Sequence, residues 1–199
     1  MLFLFFGQDV THIAEGIGPR VGINVLDRGS SLAGFQVTIN GRFWVITKCL
    51  AAFVSIADEI SGLAEWLEAR LSEGVKPKEI AIFGRTEAVL HDRAEPALDV
   101  AGVKGQLLND DDPADQDHVS LGTMHRAKGL EFKAVAVVGC DAGLLPLRSV
   151  LDGFTDPLER ELFVEQERNL LYVALTRARE QIIVTHASRP STLLEKLGS

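Results

Sequence analysis

The spacing of apolar residues changes near residue 55 and predicts a different kind of structure on each side. Before that point, short apolar runs such as Val21–Leu26 and Phe43–Thr47 stand between closely spaced glycines, which predicts short strands and turns. After it, helical and strand-like periods alternate along the chain. The pattern therefore divides the chain into a Gly-rich N-terminal segment, 1–55, and an α/β domain, 56–199.

Three helices are predicted in the second part. Residues Ile56–Leu71 place apolar side chains on one face at helical spacing, and Gly74 ends this helix. Residues Thr86–Ala101 predict a second helix that Pro96 breaks or kinks, and Leu158–Glu180 predict a long third one. Short apolar runs predict strands at Ile80–Phe83, His118–Thr123, Val135–Val138 and Gln181–Thr185. Strands that alternate with helices imply a mostly parallel sheet covered on both faces.

Composition narrows the class of protein. The 199 residues are 46% hydrophobic, enough for a proper core. The net charge of −8 argues against a free-standing, high-affinity nucleic-acid binder but permits a few local contacts. Two cysteines, Cys49 and Cys140, suggest neither a disulfide framework nor a metal cluster, so a cytoplasmic location is expected. Met1–Phe6 is too short to span a membrane and lacks a basic flank, so we expect a buried strand.

Two stretches contain reactive or metal-ligating residue types but are not predicted to carry chemistry. The acidic run Asn109–Asp117 is read as a solvated surface loop, because no partner ligands flank it at metal-binding spacing. Cys140 is read as a small buried residue rather than a nucleophile. We therefore predict no metal site built from this chain alone.

The segment 123–132 begins at the end of a predicted strand, where open α/β sheets place their ligand sites. Its turn combines the basic His125, Arg126 and Lys128 with Gly129, which permits close approach of backbone to a phosphate. On the residues alone, His125 and Lys128 are read as ordinary surface side chains.

The predicted long helix carries a second group of charged residues. Arg168, Tyr172 and Arg179 fall near one stripe of that helix, and Arg177 is offset from it. These arginines could pair with neighbouring glutamates or could serve a bound anion, and the pattern leaves both open.

These two segments carry a resemblance to a known family. The strings TMHRAKGLEF, residues 123–132, and ERNLLYVALTRARE, residues 167–180, resemble motifs V and VI of the UvrD/Rep-type superfamily 1 DNA helicases. The resemblance implies a three-layer, RecA-like C-terminal (2A) domain, preceded here by the Gly-rich short-strand segment. Residues 94–117 are too few for the helical 2B subdomain that larger members insert at this point.

The resemblance also implies roles for individual residues. Arg177 matches the arginine finger that meets the γ-phosphate of ATP, and Glu131 matches the carboxylate that accepts from the ribose hydroxyl. Lys128 and Gly129 fall on the nucleotide side of the motif. The positions implied to contact single-stranded DNA are Thr123, His125 and Arg126, with Arg85, in a strand resembling the family's Tyr-Arg-x-Asn, as a weaker candidate.

One half of the family's ATP site has no counterpart in the sequence. It contains no G-x-x-x-x-G-K-[ST] string, no Gly-Lys dipeptide and no Walker B acidic pair after an apolar strand. The resemblance therefore implies half of a motor, from a truncated gene or an excised domain. Such a chain would share Mg²⁺ and ATP with a P-loop-bearing N-terminal helicase domain and would be inactive alone. Arg42 is read as a bystander rather than a second phosphate-sensing arginine.

Two other classes of function stay open. The fold could serve as a non-catalytic interaction module that pairs with a partner, or with itself, through strands in residues 1–55. A nuclease accessory domain is a weaker alternative, because the sequence offers no acidic metal cluster of its own.

Overall fold

The computed structural model describes residues 35–39, 42–108 and 115–195. Within them, seven strands form one sheet in the order β1-β2-β7-β6-β3-β5-β4. Only β1 and β2 pair antiparallel; every other neighbouring pair is parallel. The strands are β1 (Phe35–Ile39), β2 (Arg42–Ala52), β3 (Ile80–Gly84), β4 (Lys104–Leu107), β5 (His118–Thr123), β6 (Phe132–Val137) and β7 (Ala178–His186).

Helices cover both faces of the sheet and make three layers. They are α1 (Ile56–Ser72), α2 (Glu87–Val89), α3 (Glu95–Ala101), α4 (Arg148–Leu151), α5 (Pro157–Leu175) and α6 (Thr192–Glu195). One buried cluster joins the sheet to α5, and the other joins its opposite face to α1 and α3. This arrangement confirms the predicted α/β class with a mostly parallel sheet, as expected of a RecA-like domain.

The first helix forms where its sequence predicts it. Ser55 caps its start by accepting from the Asp58 backbone N–H, and Gly74 follows its end with a positive φ of 85°. Leu63 and Leu67, four residues apart, are fully buried against the sheet. Glu59, four residues earlier on the same stripe, is also fully buried, which the sequence analysis did not anticipate.

The proline in the second predicted helix does not end it. Residues Leu90–Ala94 form a π-helical turn between α2 and α3, and Pro96 lies in the first turn of α3. Because proline has no N–H, Pro96 cannot donate to a carbonyl of the preceding turn, and the hydrogen-bond pattern changes at the π-helical turn directly before it. The strand β4 that follows was not predicted, because Lys104–Leu107 is an edge strand with exposed side chains and no apolar alternation.

Three predicted boundaries are wrong: the end of α5, the start of β6, and the start of β7, which begins at Ala178 rather than Gln181. The long helix α5 ends at Leu175 rather than Glu180, and Arg179 lies in β7, so it cannot share a helical stripe with Arg168. The chain leaves the helix early because β7 starts pairing with β6 at Ala178. Strand β6 likewise begins at Phe132, three residues before the predicted start.

The N-terminal part of the chain is described only from Phe35. The run Phe43–Thr47 lies in β2, which pairs in parallel with β7 and so belongs to the main sheet. The predictions for Met1–Phe6 and Val21–Leu26 fall outside the described residues. The division at residue 55 stays a prediction, although the sheet itself crosses it.

Candidate functional site

The segment resembling motif V crosses the whole height of the sheet on the face that α5 covers. Thr123 is the last residue of β5 and Phe132 is the first of β6, and both strands run parallel to β3 between them. The crossover therefore starts at the carboxyl ends of the strands, here called the upper edge, and finishes at their amino ends, the lower edge. The candidate residues separate accordingly into two groups.

At the upper edge, Arg85 and Glu167 form a bidentate ion pair. Arg85 follows β3, and its Nε and Nη2 each lie 2.6 Å from a carboxylate oxygen of Glu167 on α5. The two side chains are 11% and 1% exposed. A carboxylate this deeply buried is tolerated because a fixed guanidinium balances its charge with parallel hydrogen bonds. Arg85, a candidate for nucleic-acid contact, thus has two of its five N–H groups already engaged.

His125 lies in the electrostatic field of this pair. It is exposed on the 3₁₀ turn Met124–Ala127 that follows β5. Partial loss of hydration lowers the pKa of His125, the Arg85 guanidinium lowers it further, and the Glu167 carboxylate offsets part of the effect. The imidazole is therefore neutral at neutral pH and can both donate and accept a hydrogen bond.

Arg126 is held by backbone rather than by a carboxylate. Its Nη1 donates to the Leu108 carbonyl at 2.7 Å, beyond the end of β4. None of the ion pairs among the described residues includes Arg126, whose side chain is exposed. Thr123 is half-buried beside it at the end of β5. The upper edge thus presents a neutral imidazole and a cation without an acidic partner in the described part of the chain.

At the lower edge, Arg177 is oriented by three neutral oxygens. Its Nε donates to the Val173 carbonyl at 3.1 Å, Nη1 to the Leu130 carbonyl at 3.3 Å, and Nη2 to the Thr176 hydroxyl at 3.2 Å. Its own carbonyl accepts from the Phe132 N–H at 2.9 Å. No acidic side chain in residues 50–108 or 115–194 forms an ion pair with it. The half-buried guanidinium is therefore fixed in direction while its charge is not balanced by these residues.

Glu131 is the sequence neighbour of a hydrogen-bond partner of Arg177. It is exposed and directly follows Leu130, whose carbonyl accepts a hydrogen bond from the Arg177 guanidinium. Lys128 and Gly129 precede it on the crossover, and both are exposed. Gly129 has φ of 84°, and a Cβ there would meet no atom within 4 Å, so the backbone conformation rather than space favours glycine. An exposed carboxylate and an oriented cation thus flank one tight turn.

A third charged cluster, not predicted from the sequence, lies on the opposite face of the sheet. Arg93 on the π-helical turn bridges two carboxylates: it pairs with Glu59 of α1, and its Nη2 lies 2.6 Å from Asp141 Oδ2. Glu59 also accepts from the Thr185 hydroxyl and the Gly139 N–H. Burial tends to raise the pKa of Asp141, but Arg93, the Ala187 N–H and Ser188 together bring it below its usual value.

This cluster is fully enclosed and joins α1, the π-helical turn and the chain after β6. Its one early signal was Glu59, a charged residue on an otherwise apolar helical stripe. The neighbouring Cys140 is free and buried, and burial raises the pKa of its thiol, as expected of an inert residue. The described residues contain no grouping of three or more metal-ligating side chains, and none of the described helices is both long and apolar enough to cross a membrane.

The chain is similar to a known protein family, to sequences of DNA helicases and to a solved structure. The family described as UvrD-like helicase C-terminal domain matches residues 48–189. YjcD of Bacillus subtilis, described as a candidate ATP-dependent DNA helicase, is 33% identical over 133 residues, which cover 66% of this chain and 17% of that protein. The ATP-dependent DNA helicase PcrA of Staphylococcus aureus is 40% identical over 84 residues, covering 41% of this chain and 11% of PcrA.

A solved structure supports the fold independently. The C-terminal domain of a possible DNA helicase from Lactobacillus plantarum WCFS1 is similar with a TM-score of 0.51 and 21% identity, over 73% of this chain and 76% of that one. This chain spans less than a fifth of the length of the sequence relatives, so their whole activities are not its own by similarity. The family match nevertheless covers well over half of the residues, and the chain therefore belongs to the UvrD-like helicase C-terminal domain family.

Proposed function

We propose that this chain is the C-terminal motor domain of a UvrD-like, ATP-dependent DNA helicase and contributes one side of a shared ATP site. The observation that carries the proposal is the state of Arg177. Three neutral oxygens fix its guanidinium beside the turn that bears Glu131, and no described acidic side chain balances its charge. A fixed cation whose charge the described residues do not balance can bind an anion that comes from outside the domain.

On this proposal the lower edge of the sheet faces the nucleotide. Arg177 stabilises negative charge on the γ-phosphate, and Glu131 accepts from the ribose hydroxyl. Lys128 and Gly129 lie on the approach to that turn, where Gly129 adopts the positive φ that favours glycine and carries no side chain that could block the bound group. When bound, Mg-ATP supplies the phosphoryl group that water receives. The residues of this chain orient it and stabilise charge.

The upper edge is proposed to meet single-stranded DNA. Arg126 offers a cation to a backbone phosphate, Thr123 offers a hydroxyl, and His125 offers a neutral imidazole that can donate or accept. Arg85 contributes less to affinity for the strand, because Glu167 already balances its charge. The acidic net charge of the chain agrees with local contacts rather than a broad basic surface.

The remainder of the ATP site is proposed to come from a P-loop-bearing N-terminal helicase domain. The sequence holds no G-x-x-x-x-G-K-[ST] string, so a second domain has to supply the backbone cradle and lysine for the phosphates, and the ligands for Mg²⁺. The isolated chain accordingly lacks ATP hydrolysis and unwinding, and the complete motor works in the cytoplasm.

The experiment measures ATP hydrolysis with and without a single-stranded oligothymidylate. It compares the purified chain, a P-loop-bearing N-terminal domain of a UvrD-like helicase, and the two combined. We expect background rates from each alone and strand-stimulated hydrolysis from the mixture. Hydrolysis by the purified chain alone would refute the shared site, and a mixture no faster than its parts would refute the motor role.

The structure also offers an observation in favour of an interaction module. Strand β1 is the last in the sheet order, and within the described residues it pairs only with β2. An open strand edge can recruit a second copy or a partner. Size-exclusion chromatography with light scattering separates this alternative from the motor, since a strictly monomeric chain would argue against self-association through residues 1–55.

A further inference from the structure

Two glutamates on α5, two residues apart, have different partners. Glu165 is exposed and pairs with Arg168 on its own helix. Glu167 is buried and reaches across to Arg85, 82 positions earlier in the sequence, with both carboxylate oxygens. The first pair stabilises only the helix surface, where such contacts contribute little. The second joins α5 to the carboxyl end of β3.

Glu167 lies at the upper edge, on the helix that leads from there towards Arg177 at the lower edge. Arg85 and His125 lie at the upper edge of the sheet, where the strands end. From Glu167 the helix continues to Leu175, about 12 Å further on, and Arg177 follows at the lower edge. A helix of this length moves as a rigid rod, so fixing it at Glu167 constrains the position of Arg177.

We propose that Glu167 is a positioning residue that, through Arg85, locks α5 to the end of β3 and so couples strand binding near His125 to the orientation of Arg177. This inference rests on the proposed function. It assigns to Arg85 a role in transmission rather than in direct contact with the strand. It also makes a clear distinction between Glu167 and the exposed Glu165, which offers the matched control.

The first test uses the isolated chain and follows the titration of His125 by NMR. The charged groups that face His125 from the packed elements are Arg85, after β3, and Glu167, on α5; Arg126 and Lys128 share its own crossover. Arg85→Gln removes a cation and should raise the pKa of His125. Glu167→Gln removes an anion and should lower it, while Glu165→Gln should leave it unchanged.

Opposite shifts for the two variants support a cluster in which both charges act on the same imidazole. Absence of a shift in both variants would overturn the proposed geometry. The signal of His125 is identified by its loss in His125→Asn, which separates it from the other four histidines.

The second test measures coupling in the reconstituted motor as the ratio of ATP hydrolysis with and without oligothymidylate. Glu167→Gln should lower this ratio about tenfold, in the usual range of coupling between sites. The drop should appear in the maximal stimulation more than in the oligothymidylate concentration giving half of it. Glu165→Gln should keep the wild-type ratio.

A double variant guards against simple misfolding. Arg85→Met with Glu167→Met removes both charges, and apolar replacement of a buried pair is usually tolerated by the fold. A folded double variant with a low ratio supports the proposal, and one with a wild-type ratio overturns it. Wild-type protein without strand stimulation would instead overturn the proposed motor function, and the coupling with it. If the wild type and Glu167→Gln are stimulated equally by the strand, the coupling is wrong and the motor function stands.

Discussion

Two arginines, Arg85 and Arg177, stand at opposite edges of the sheet on the face covered by α5, and their guanidinium groups meet different partners. Arg85 is locked to a buried carboxylate by two short hydrogen bonds. Arg177 is held at longer distances by two backbone carbonyls and a hydroxyl. Both are oriented, but only the second keeps a charge that the described residues do not balance.

The difference separates two uses of the same side chain. An arginine neutralised by a buried carboxylate links elements together, because removing either partner leaves an uncompensated charge in the interior. An arginine held by neutral oxygens can attract an incoming anion without first giving up an ion pair. By this criterion Arg126 at the upper edge resembles Arg177 and not its neighbour Arg85.

The largest expected effect concerns catalysis by Arg177. In the reconstituted motor, Arg177→Ala should lower the rate of ATP hydrolysis about a thousandfold, as loss of an arginine finger does. Nucleotide binding should change little, because the finger acts most strongly on charge developed during transfer. Steady-state hydrolysis and equilibrium binding measure the two effects, with the exposed Arg179→Ala as control. Full turnover by Arg177→Ala would show that the finger assignment is wrong.

The second effect is on stability, where replacing Arg85 should cost more than replacing Arg177. Arg85→Met leaves Glu167 charged and buried without its partner, and should lower the free energy of unfolding by about 3 kcal/mol. Arg177→Met removes hydrogen bonds to neutral groups only and should cost about 1 kcal/mol. Urea unfolding of the isolated chain measures both. Equal losses for the two variants would remove the distinction drawn between the two arginines.

The smallest effect separates two arginines within the upper edge. If Arg126 meets a phosphate, Arg126→Ala should reduce the slope of log affinity for oligothymidylate against log salt by about 0.7. Arg85→Met should leave that slope unchanged, because the guanidinium it removes is already neutralised. Fluorescence anisotropy at several salt concentrations provides the slopes. A reduced slope for Arg85→Met as well would assign Arg85 to direct contact.

Local pattern predicted the elements that have strong periodicity. The helix from Ile56, the buried strand His118–Thr123 and the α/β class followed directly from apolar spacing. The polar edge strand β4 was missed because edge strands need no apolar face. The end of α5 was placed too late, because the pairing of Ala178 with Phe132, which ends it, is a tertiary contact invisible in local sequence.

The motif strings identify the candidate residues in the sequence. They do not identify the side chains with which these residues form ion pairs. Nothing within residues 167–180 shows that Glu167 selects Arg85 rather than the nearby Arg168. The cluster of Glu59, Arg93 and Asp141 was likewise undetectable as a cluster, since its members come from three separate segments. Only a charged residue on an apolar stripe gave a hint of it.

The crossover between β5 and β6 joins the two edges of the sheet through few residues. Register through β3 sets Thr123 and Phe132 six residues apart in height, about 20 Å. Only eight residues lie between them, and they form a four-residue 3₁₀ turn followed by a turn in which the Leu130 N–H donates to the Ala127 carbonyl at 3.4 Å. Candidate residues at both edges, Thr123 and Glu131, are thus joined by one short covalent path. A displacement at one edge therefore has few bonds to cross before it reaches the other.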